Sequence, residues 1–449
     1  MITIGIANAS LVNEGKVTLT SILIRNGLIE RIFTDNPDEI YRVKPEQLIE
    51  AKGKLLFPGV IDDQVHFREP GLTHKEDIYS GSKAAVAGGV TSFMEMPNTN
   101  PQTTTIALLD EKFRIASEKS LANYSFYLGA TNDNIDELAK IDSNKVCGIK
   151  VFMGSSTGNM LVNKRESLER IFRQSPVLIA THCEDEATIK ENITKYKELY
   201  GEDIPFRYHA EIRSYKACFL SSSLAVSLAK KYNSRLHVLH LSTEKELELF
   251  EEGIPIYNKR ITSEVCIHHL WFSQDDYEKY GWRIKWNPSI KTVKDRLALI
   301  DGLKSNKVDI VATDHAPHLI SEKDAGYFKS ASGGPLVQHS LVAMIELSKK
   351  GHFSLDLIAQ KMCHAPAIIY GIEKRGFVKE GYHADLTLVD PHENWIVNKG
   401  NLLYKCGWSP FEGQPFSSKV THTIINGRVV YENGRFDESF RGSALRFSR

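Results

Sequence analysis

Short apolar runs alternate with amphipathic stretches through the middle of the chain. The runs predict eight strands: Leu55–Ile61, Val90–Met96, Tyr124–Leu128, Val146–Val151, Val177–Thr181, Leu236–His240, Ile261–Val265 and Val308–Thr313. Helical periodicity separates most of them, at Lys75–Ala87, Ile106–Ser117, Lys164–Arg173, Ile212–Lys231, Glu244–Glu252 and Val293–Leu303. This alternation predicts parallel strands joined by crossover helices. Eight such strands favour an α/β fold of the (β/α)8 TIM-barrel type, with a doubly wound open sheet as the alternative.

The two ends of the chain share a different pattern, in which short alternating strands lie between turn signals. Alternation at Ser21–Gly27, Asp385–Asp390 and Val420–Gly434 predicts strands, and the Asn-Gly pairs at 26–27, 426–427 and 433–434 predict tight hairpins. We therefore expect one small β-sandwich domain assembled from both ends. Its predicted parts are residues 1–54 and 368–449, and the barrel between them is predicted to span residues 55–367.

Composition and charge exclude several classes of protein. Lys and Arg total 56 and Asp and Glu total 56, so nothing in the charge favours nucleic acid or an anionic membrane as a partner. The six cysteines include no Cys-x-x-Cys pair, which favours reduced thiols and a cytoplasmic protein. No apolar run approaches the roughly 20 residues of a membrane helix, and the first residues lack the pattern of a signal peptide.

Polar residues fall at the carboxyl ends of the predicted strands. They are His66, Asn98, Lys150, His182, His240 and Asp314. In a barrel these ends form one rim, where active sites lie, so we expect the side chains to converge. Each alone also has a structural explanation, because a histidine after a strand is more often a hydrogen-bonded core residue and an aspartate can cap a helix. His237 is out of register with the rim and is interpreted as a structural residue.

Two of these positions indicate the kind of chemistry. Gln64, His66 and Arg68 alternate along one strand and therefore share a face. A metal-ligating imidazole beside a guanidinium, which binds carboxylates with two hydrogen bonds, indicates hydrolysis of an acidic substrate. Lys150 ends an apolar run, where lysine is seldom buried without a partner. A buried neutral amine can react with carbon dioxide to give a carbamate, which would place a carboxylate between two metals.

Several segments together resemble a known family. They are Arg68–Gly71, Met96–Thr99, Gly148–Phe152, Glu264–Leu270, Lys285–Pro288, Ala312–His318, Gly407–Phe411 and Asn426-Gly427. In this order they make the chain similar, nearly end to end, to the dihydroorotases of the amidohydrolase superfamily, in the branch that also contains allantoinase and dihydropyrimidinase. The resemblance implies reversible hydrolysis of the cyclic amide of L-dihydroorotate to N-carbamoyl-L-aspartate, a step of de novo pyrimidine biosynthesis.

The resemblance also implies roles for individual residues. The implied metal ligands are His66, Lys150, His182, His240 and Asp314, with a carbamylated Lys150 bridging two zinc ions. Asp314 would act as general base and then as general acid. The implied contacts to substrate are Arg68, Asn98 and His318 for the carboxylate, and Asn287 for the ring. The resemblance further implies a homodimer.

Gln64 is the main departure from the family pattern, because two-metal members carry histidine there. An amide oxygen is a poorer zinc ligand than an imidazole. Three hypotheses follow: a weakly held metal at His66, an enzyme with one metal held by Lys150, His182 and His240, or an inactive structural subunit that partners aspartate transcarbamoylase. Another cyclic-amide hydrolase, such as an allantoinase, is a further alternative.

Two neighbouring segments bear on the same site. His74 lies close in sequence to His66 and could replace the missing ligand, although it lies past the end of the strand. The loop from Leu319 to Gly334 is rich in Gly, Ser and Lys, and we expect it to close over the substrate.

Overall fold

The computed structural model describes residues 3–154 and 160–449. The strands are β1 (Thr3–Asn13), β2 (Lys16–Arg25), β3 (Leu28–Phe33), β4 (Gln47–Glu50), β5 (Leu55–Pro58), β6 (Val60–Val65), β7 (Val90–Glu95), β8 (Asn123–Gly129), β9 (Gly148–Phe152), β10 (Ile179–His182), β11 (Leu236–Val238), β12 (Ile261–Cys266), β13 (Ile310–Ala312), β14 (Leu386–Asp390), β15 (Trp395–Ile396), β16 (Pro415–Phe416), β17 (Lys419–Ile425), β18 (Arg428–Glu432) and β19 (Arg435–Phe436). The α-helices are α1 (Glu39–Val43), α2 (Ile78–Ala87), α3 (Ile106–Lys119), α4 (Ile135–Leu138), α5 (Arg165–Gln174), α6 (Glu186–Tyr200), α7 (His209–Ile212), α8 (Tyr215–Tyr232), α9 (Ile267–Trp271), α10 (Tyr277–Tyr280), α11 (Val293–Lys304), α12 (Ile320–Lys323), α13 (Ser340–Lys349), α14 (Leu355–Ala359) and α15 (Ala365–Tyr370).

Strands β6 to β13 form the predicted barrel, in sequence order and each parallel to the next. A parallel bridge between Val65 and His315 brings the end of β6 beside the segment after β13, so the sheet nearly closes on itself. Every residue of β6 to β10 is buried, which explains why these strands are continuous apolar runs. The carboxyl ends of the eight strands therefore meet at one rim, and the barrel prediction is confirmed.

The predicted first barrel strand, Leu55–Ile61, is in fact two strands that belong to different sheets. β5 pairs with β1 and β14, whereas β6 pairs with β7 in the barrel. Gly59 separates them, and a Cβ atom there would lie only 2.1 Å from the hydroxyl oxygen of Thr91. Both strands are fully buried, so the apolar pattern runs through the change of sheet without a break.

The other predicted helices are present, but Glu244–Glu252 forms only a short 3-10 segment, Lys245–Leu249. The reason is local: Glu246 turns inward and is buried, and its carboxylate accepts the hydroxyl of Thr243 at 2.9 Å. Such side-chain bonds to nearby groups compete with the helical ladder. Within residues 3–154 and 160–449, no helix is long and apolar enough to span a membrane.

Both chain ends contribute to one mixed sheet of nine strands, which confirms that they fold together. Asn26-Gly27 joins β2 to β3 and Asn426-Gly427 joins β17 to β18, with positive φ at all four residues. Asn-Gly is the sequence that tolerates this backbone in a two-residue hairpin, so these turns form as predicted. The exact domain limits stay a prediction.

Candidate active site

One pocket opens at the rim of the barrel and collects the predicted site residues. Its volume is about 430 Å³. The walls include all nine of them: His66, Arg68, Asn98, Lys150, His182, His240, Asn287, Asp314 and His318. These residues come from strand ends and from the loops that follow them, so positions far apart in the sequence surround a single cavity.

His182, at the end of β10, and His240, just after β11, face each other in this pocket. Their ring nitrogens, Nδ1 of His182 and Nε2 of His240, lie 3.0 Å apart. Nε2 of His182 lies 3.0 Å from the carboxylate of Glu184, which also pairs with Arg213. Burial alone would raise the pKa of Glu184, but Arg213 and His182 lower it to about 2. This carboxylate accepts the Nε2 proton of His182 as a hydrogen bond and leaves the Nδ1 lone pair directed at His240.

Lys150, in β9, is almost completely buried and is 1% exposed. Its Nζ lies 4.7 Å from the centre of the Phe152 ring, and it forms no salt bridge with any described residue. Burial lowers the pKa of Lys150 to about 8. A substantial fraction of this amine is therefore neutral near physiological pH, which is the form that reacts with carbon dioxide.

Two residues contact Asp314: Gln64, in β6, and His66, just after β6. Nε2 of His66 lies 3.1 Å from Oδ1 of Asp314, and the amide nitrogen of Gln64 lies 3.1 Å from the same oxygen. Nδ1 of His66 in turn lies 2.7 Å from the amide oxygen of Asn98. Burial lowers the pKa of His66. Gln64, the departure from the family pattern, thus lies directly against the predicted general base.

Three of the site residues have an unusual backbone. Arg68, His240 and Asp314 adopt φ values of 66°, 41° and 46°, in the left-handed region that side chains other than glycine rarely enter. At His240 this backbone is held by the buried carboxylate of Glu264, which accepts the His240 N–H at 3.0 Å. Backbone strain of this kind persists where the surrounding structure enforces it, and it clusters at functional sites.

Arg68 and His318 form a polar wall suited to an anion. Nε of Arg68 donates to the carbonyl of Pro317 at 3.1 Å, and its Nη2 lies 3.0 Å from Nε2 of His318. Lys75 contacts the other ring nitrogen of His318 at 3.2 Å. Burial lowers the pKa of Arg68 only to about 10, so the guanidinium stays charged near neutral pH. A fixed planar cation of this kind matches the geometry of a carboxylate.

Comparison with known proteins assigns the family. The model of the amidohydrolase family matches residues 55–430. The chain belongs to the amidohydrolase family. This amidohydrolase is 33% identical to the dihydroorotase of Methanosarcina acetivorans, over 95% of this chain and 92% of the relative. It is also 33% identical to the dihydroorotase of Aquifex aeolicus, over 92% of this chain and 94% of the relative. Among solved structures, the L-hydantoinase (dihydropyrimidinase) of Arthrobacter aurescens matches with a TM-score of 0.90 and 27% identity, over 97% of both chains.

The rim of this amidohydrolase fits a divalent metal. Nδ1 of His182 and Nε2 of His240 lie 3.0 Å apart, and Nδ1 of His182 directs its lone pair at the other ring. Two nitrogens this close need a proton or a cation between them. Nδ1 of His240 is buried and has no hydrogen-bond partner among the described residues, so no neighbour fixes its tautomer. Lys150 lies in the same pocket and could supply an oxygen ligand as a carbamate. Imidazole nitrogen together with anionic oxygen is a donor set that zinc accepts.

Sequence reasoning missed Glu184 and Arg213, although both belong to the site. Arg213 lies in the pocket wall, and Glu184 lies behind His182. Glu184 stands two residues after His182, and this spacing is the one signal that could have found it. Arg213 follows the short helix α7 and has no comparable signal.

The loop expected to close over the substrate is held against the pocket by two lysines. Lys285 Nζ donates to the carbonyls of Tyr327 and Ser330, at 2.6 and 2.5 Å. Lys323 Nζ donates to the carbonyls of Lys285 and Ala331, at 3.1 and 2.9 Å. The end of the loop, residues 331–333, lines the pocket. Two buried lysines therefore hold the loop in place against the cavity.

Two further histidines that the sequence analysis considered, His74 and His237, do not line the pocket. The side chain of His74 is 53% exposed and its nearest acidic partner is Glu322, at 3.9 Å, so it does not replace the missing ligand. His237 is fully buried, between the carboxylates of Asp63 at 3.3 Å and Glu264 at 3.2 Å. Burial alone would lower the pKa of His237, but these carboxylates raise it to about 9. The structural role of His237 stays a prediction.

Proposed function

We propose that this amidohydrolase is a dihydroorotase, which hydrolyses the cyclic amide of L-dihydroorotate to N-carbamoyl-L-aspartate and catalyses the reverse reaction in pyrimidine biosynthesis. The observation that carries the proposal is that an anion-binding wall, Arg68 with His318, shares one pocket of about 430 Å³ with His182, His240, Lys150 and Asp314. The similarity to proteins named dihydroorotase supports it. The family resemblance further leads us to propose a cytoplasmic homodimer.

The anion-binding wall selects among cyclic amides. Dihydroorotate carries a carboxylate on its ring, whereas hydantoin, dihydrouracil and allantoin lack a carboxylate at that position. Arg68 would bind this carboxylate with two parallel hydrogen bonds, supported by His318 and Asn98, and Asn287 would contact the ring. Fixing the ring in this way positions its amide carbon for attack before the reaction starts.

The metal of the proposed enzyme is zinc, and its ligands would come from the set that the family resemblance implies: His66, Lys150, His182, His240 and Asp314. Lys150 would take part as a carbamate: its amine nitrogen bonds to the carbon of carbon dioxide and the displaced N–H proton goes to solvent, which leaves an anionic oxygen ligand. When bound there, zinc would supply Lewis-acid chemistry, which lowers the pKa of a water towards about 7 and polarises an amide carbonyl. Glu184 would fix His182 through Nε2.

Asp314 is the residue proposed to move the proton. Its Oδ1 already faces the Gln64 amide and His66, so we assign proton transfer to Oδ2. This oxygen would accept a proton from the attacking water and pass it to the ring nitrogen as the amide C–N bond breaks. The peptide-like nitrogen is a poor leaving group without that proton, so the transfer accounts for the acid step as well as the base step.

A substrate panel tests the proposal. Purified protein supplied with zinc and bicarbonate should convert dihydroorotate, with dihydrouracil, hydantoin and allantoin much slower. The Arg68→Met variant should raise the KM for dihydroorotate by about ten- to hundredfold, the cost of losing a charged hydrogen-bond pair. Its effect on dihydrouracil, which has no carboxylate, should be small.

The other outcomes identify the alternatives. Activity on allantoin alone would contradict the role of Arg68. Failure on all four compounds would favour the non-catalytic subunit that partners aspartate transcarbamoylase.

A further inference from the structure

We infer that Gln64 limits this centre to one metal ion and serves as a positioning residue for Asp314. The role deepens the proposed function and rests on it, because it concerns how the same pocket holds its metal and its general base. Gln64 is 1% exposed and lies in β6, where two-metal relatives were expected to carry a histidine ligand. Its side chain is therefore fixed by its neighbours and not by solvent.

The neighbours of Gln64 decide which end of its amide faces the pocket. The amide nitrogen lies 3.1 Å from Oδ1 of Asp314, and the amide oxygen lies 3.7 Å from Sγ of Cys266. A carboxylate only accepts hydrogen bonds, whereas a thiol can donate one. Burial raises the pKa of Cys266, which keeps the thiol protonated. The thiol also lies 3.8 Å from Oε1 of Glu264, so the contact with Asp314 decides the orientation. Turning the amide over would place its oxygen against a carboxylate.

This orientation removes a ligand from the side of the site that contains His66. An amide N–H₂ group has no lone pair to offer a cation, and its hydrogens carry the wrong partial charge. A second ion beside His66 would have to share Oδ1 of Asp314 with the Gln64 N–H. That ion would also lose one of the two imidazoles expected from a His-x-His pair.

The opposite side keeps its full donor set. His182 and His240 present facing nitrogens, and Glu184 fixes the tautomer of His182 from behind. With the carbamate of Lys150, this side offers three ligands and an open position for water, the arrangement of a catalytic zinc site. The single ion therefore belongs with Lys150, His182 and His240, and the carbamate binds one ion where the family resemblance implied a bridge between two.

Gln64 then holds the carboxylate of Asp314 in place, which a second metal would do in a two-metal site. Asp314 has a strained backbone, with φ at 46°, and its carboxylate must present one oxygen to the substrate. A hydrogen bond from Gln64 to Oδ1 fixes the rotation of the carboxylate and leaves Oδ2 to carry the proton. Nε2 of His66 lies 3.1 Å from the same oxygen. In the Nε2–H tautomer it donates a second hydrogen bond there instead of ligating a second ion, and the side-chain amide of Asn98 then presents its N–H₂ group to Nδ1.

Metal counting tests the inference without any substrate. Apo-protein is loaded with excess zinc and bicarbonate and passed through a desalting column, and zinc per chain is measured by plasma mass spectrometry. We expect about one ion for the native chain and about two for Gln64→His, which restores the imidazole. Cobalt-loaded samples should give the electron paramagnetic signal of an isolated ion in the native chain and of a coupled pair in Gln64→His.

The variant Gln64→Met is the matched control, because methionine fills the same space but neither donates a hydrogen bond nor binds zinc well. It should keep one ion. Its kcat should fall by roughly ten- to hundredfold and its KM should change little, because the Asp314 carboxylate would lose the hydrogen bond that orients it. Two ions in the native chain, none after loading, or one in Gln64→His would each overturn the inference. A chain that binds one zinc but prefers hydantoin would overturn the proposed substrate and leave the metal count intact.

Discussion

Lys150 combines full burial with the absence of any salt bridge to the described residues, and these two properties make its amine reactive. Burial lowers its pKa to about 8, whereas an exposed lysine would stay charged. An uncompensated ammonium in the core is costly, and carbamylation exchanges it for an anion that a metal can neutralise. The same residue would therefore account for a cost in stability and for the proposed oxygen ligand.

Replacing Lys150 by Ala should remove zinc and lower the turnover of dihydroorotate by more than about two orders of magnitude, since a lost metal removes several kcal/mol of stabilisation from the transition state. Formate or acetate should restore part of both, because a small carboxylate fits the vacated space and supplies the missing oxygen ligand. Zinc content and rate are measured across a series of acid concentrations.

Lys361→Ala controls for the loss of a buried lysine as such. Lys361 is 1% exposed and its pKa is also lowered to about 8, but its Nζ donates to the carbonyl of Val308 at 2.8 Å, outside the pocket. This variant should lose stability and keep its zinc. An active Lys150→Ala protein that needs no added acid would contradict the carbamate.

How much of the site could be predicted differs from residue to residue. His182, His240 and Asp314 follow apolar strands, and the barrel rule is enough to bring them together. The orientation of the Gln64 amide depends on Cys266, which is 202 positions away, so the pattern around Gln64 contains no trace of it. Arg213 was missed for the same reason, since it reaches the pocket from a loop whose path no local pattern fixes.

At the scale of an element, the loop from Leu319 to Gly334 makes buried contacts that its composition does not predict. Its Gly, Ser and Lys content predicts a loop that closes over the substrate, and the structure adds that Lys323 is fully buried and donates to the carbonyls of Lys285 and Ala331.

The boundary between β5 and β6 also could not be predicted from composition. The run Leu55–Ile61 changes sheet at Gly59, because two buried strands in succession have the same apolar pattern as one.

Lys323→Met should loosen this loop, because the carbonyl of Ala331 would lose the lysine as its donor at a cost of about 1–3 kcal/mol, while the carbonyl of Lys285 keeps the N–H of Gly333. The loop end lines the pocket, so KM for dihydroorotate should rise more than kcat falls. Hydrogen exchange of the amides in residues 319–334 measures the loosening directly.

Lys329→Met is the control, since Lys329 belongs to the same loop but is exposed. It should leave both exchange and KM near the native values. Equal exchange in Lys323→Met and in the native protein would show that the lysine does not hold the loop.

At the scale of the whole molecule, Asp385 connects the barrel to the sheet formed by the chain ends. Its carboxylate accepts the N–H of Asn426, in a hairpin of the sheet, at 2.7 Å, and the side-chain amide of Asn123, at the start of β8, at 3.2 Å. It also pairs with Arg375, and its own carbonyl accepts the N–H of Gly59 at 2.7 Å. One buried residue thus contacts both parts of the molecule where the chain crosses between them.

Asp385→Ala should therefore destabilise the barrel as well as the sheet. Removing one partner of a buried ion pair costs about 3–5 kcal/mol, because Arg375 would keep an uncompensated charge. Urea unfolding is followed by circular dichroism, which reports on the whole chain, and by tryptophan fluorescence, since all five tryptophans lie outside the nine-stranded sheet. Both signals should shift together to lower urea.

Asp437→Ala, which removes an exposed pair with Arg428, should change stability by less than about 1 kcal/mol. A fluorescence midpoint that stays at the native value in Asp385→Ala would mean that the barrel folds without support from the chain ends.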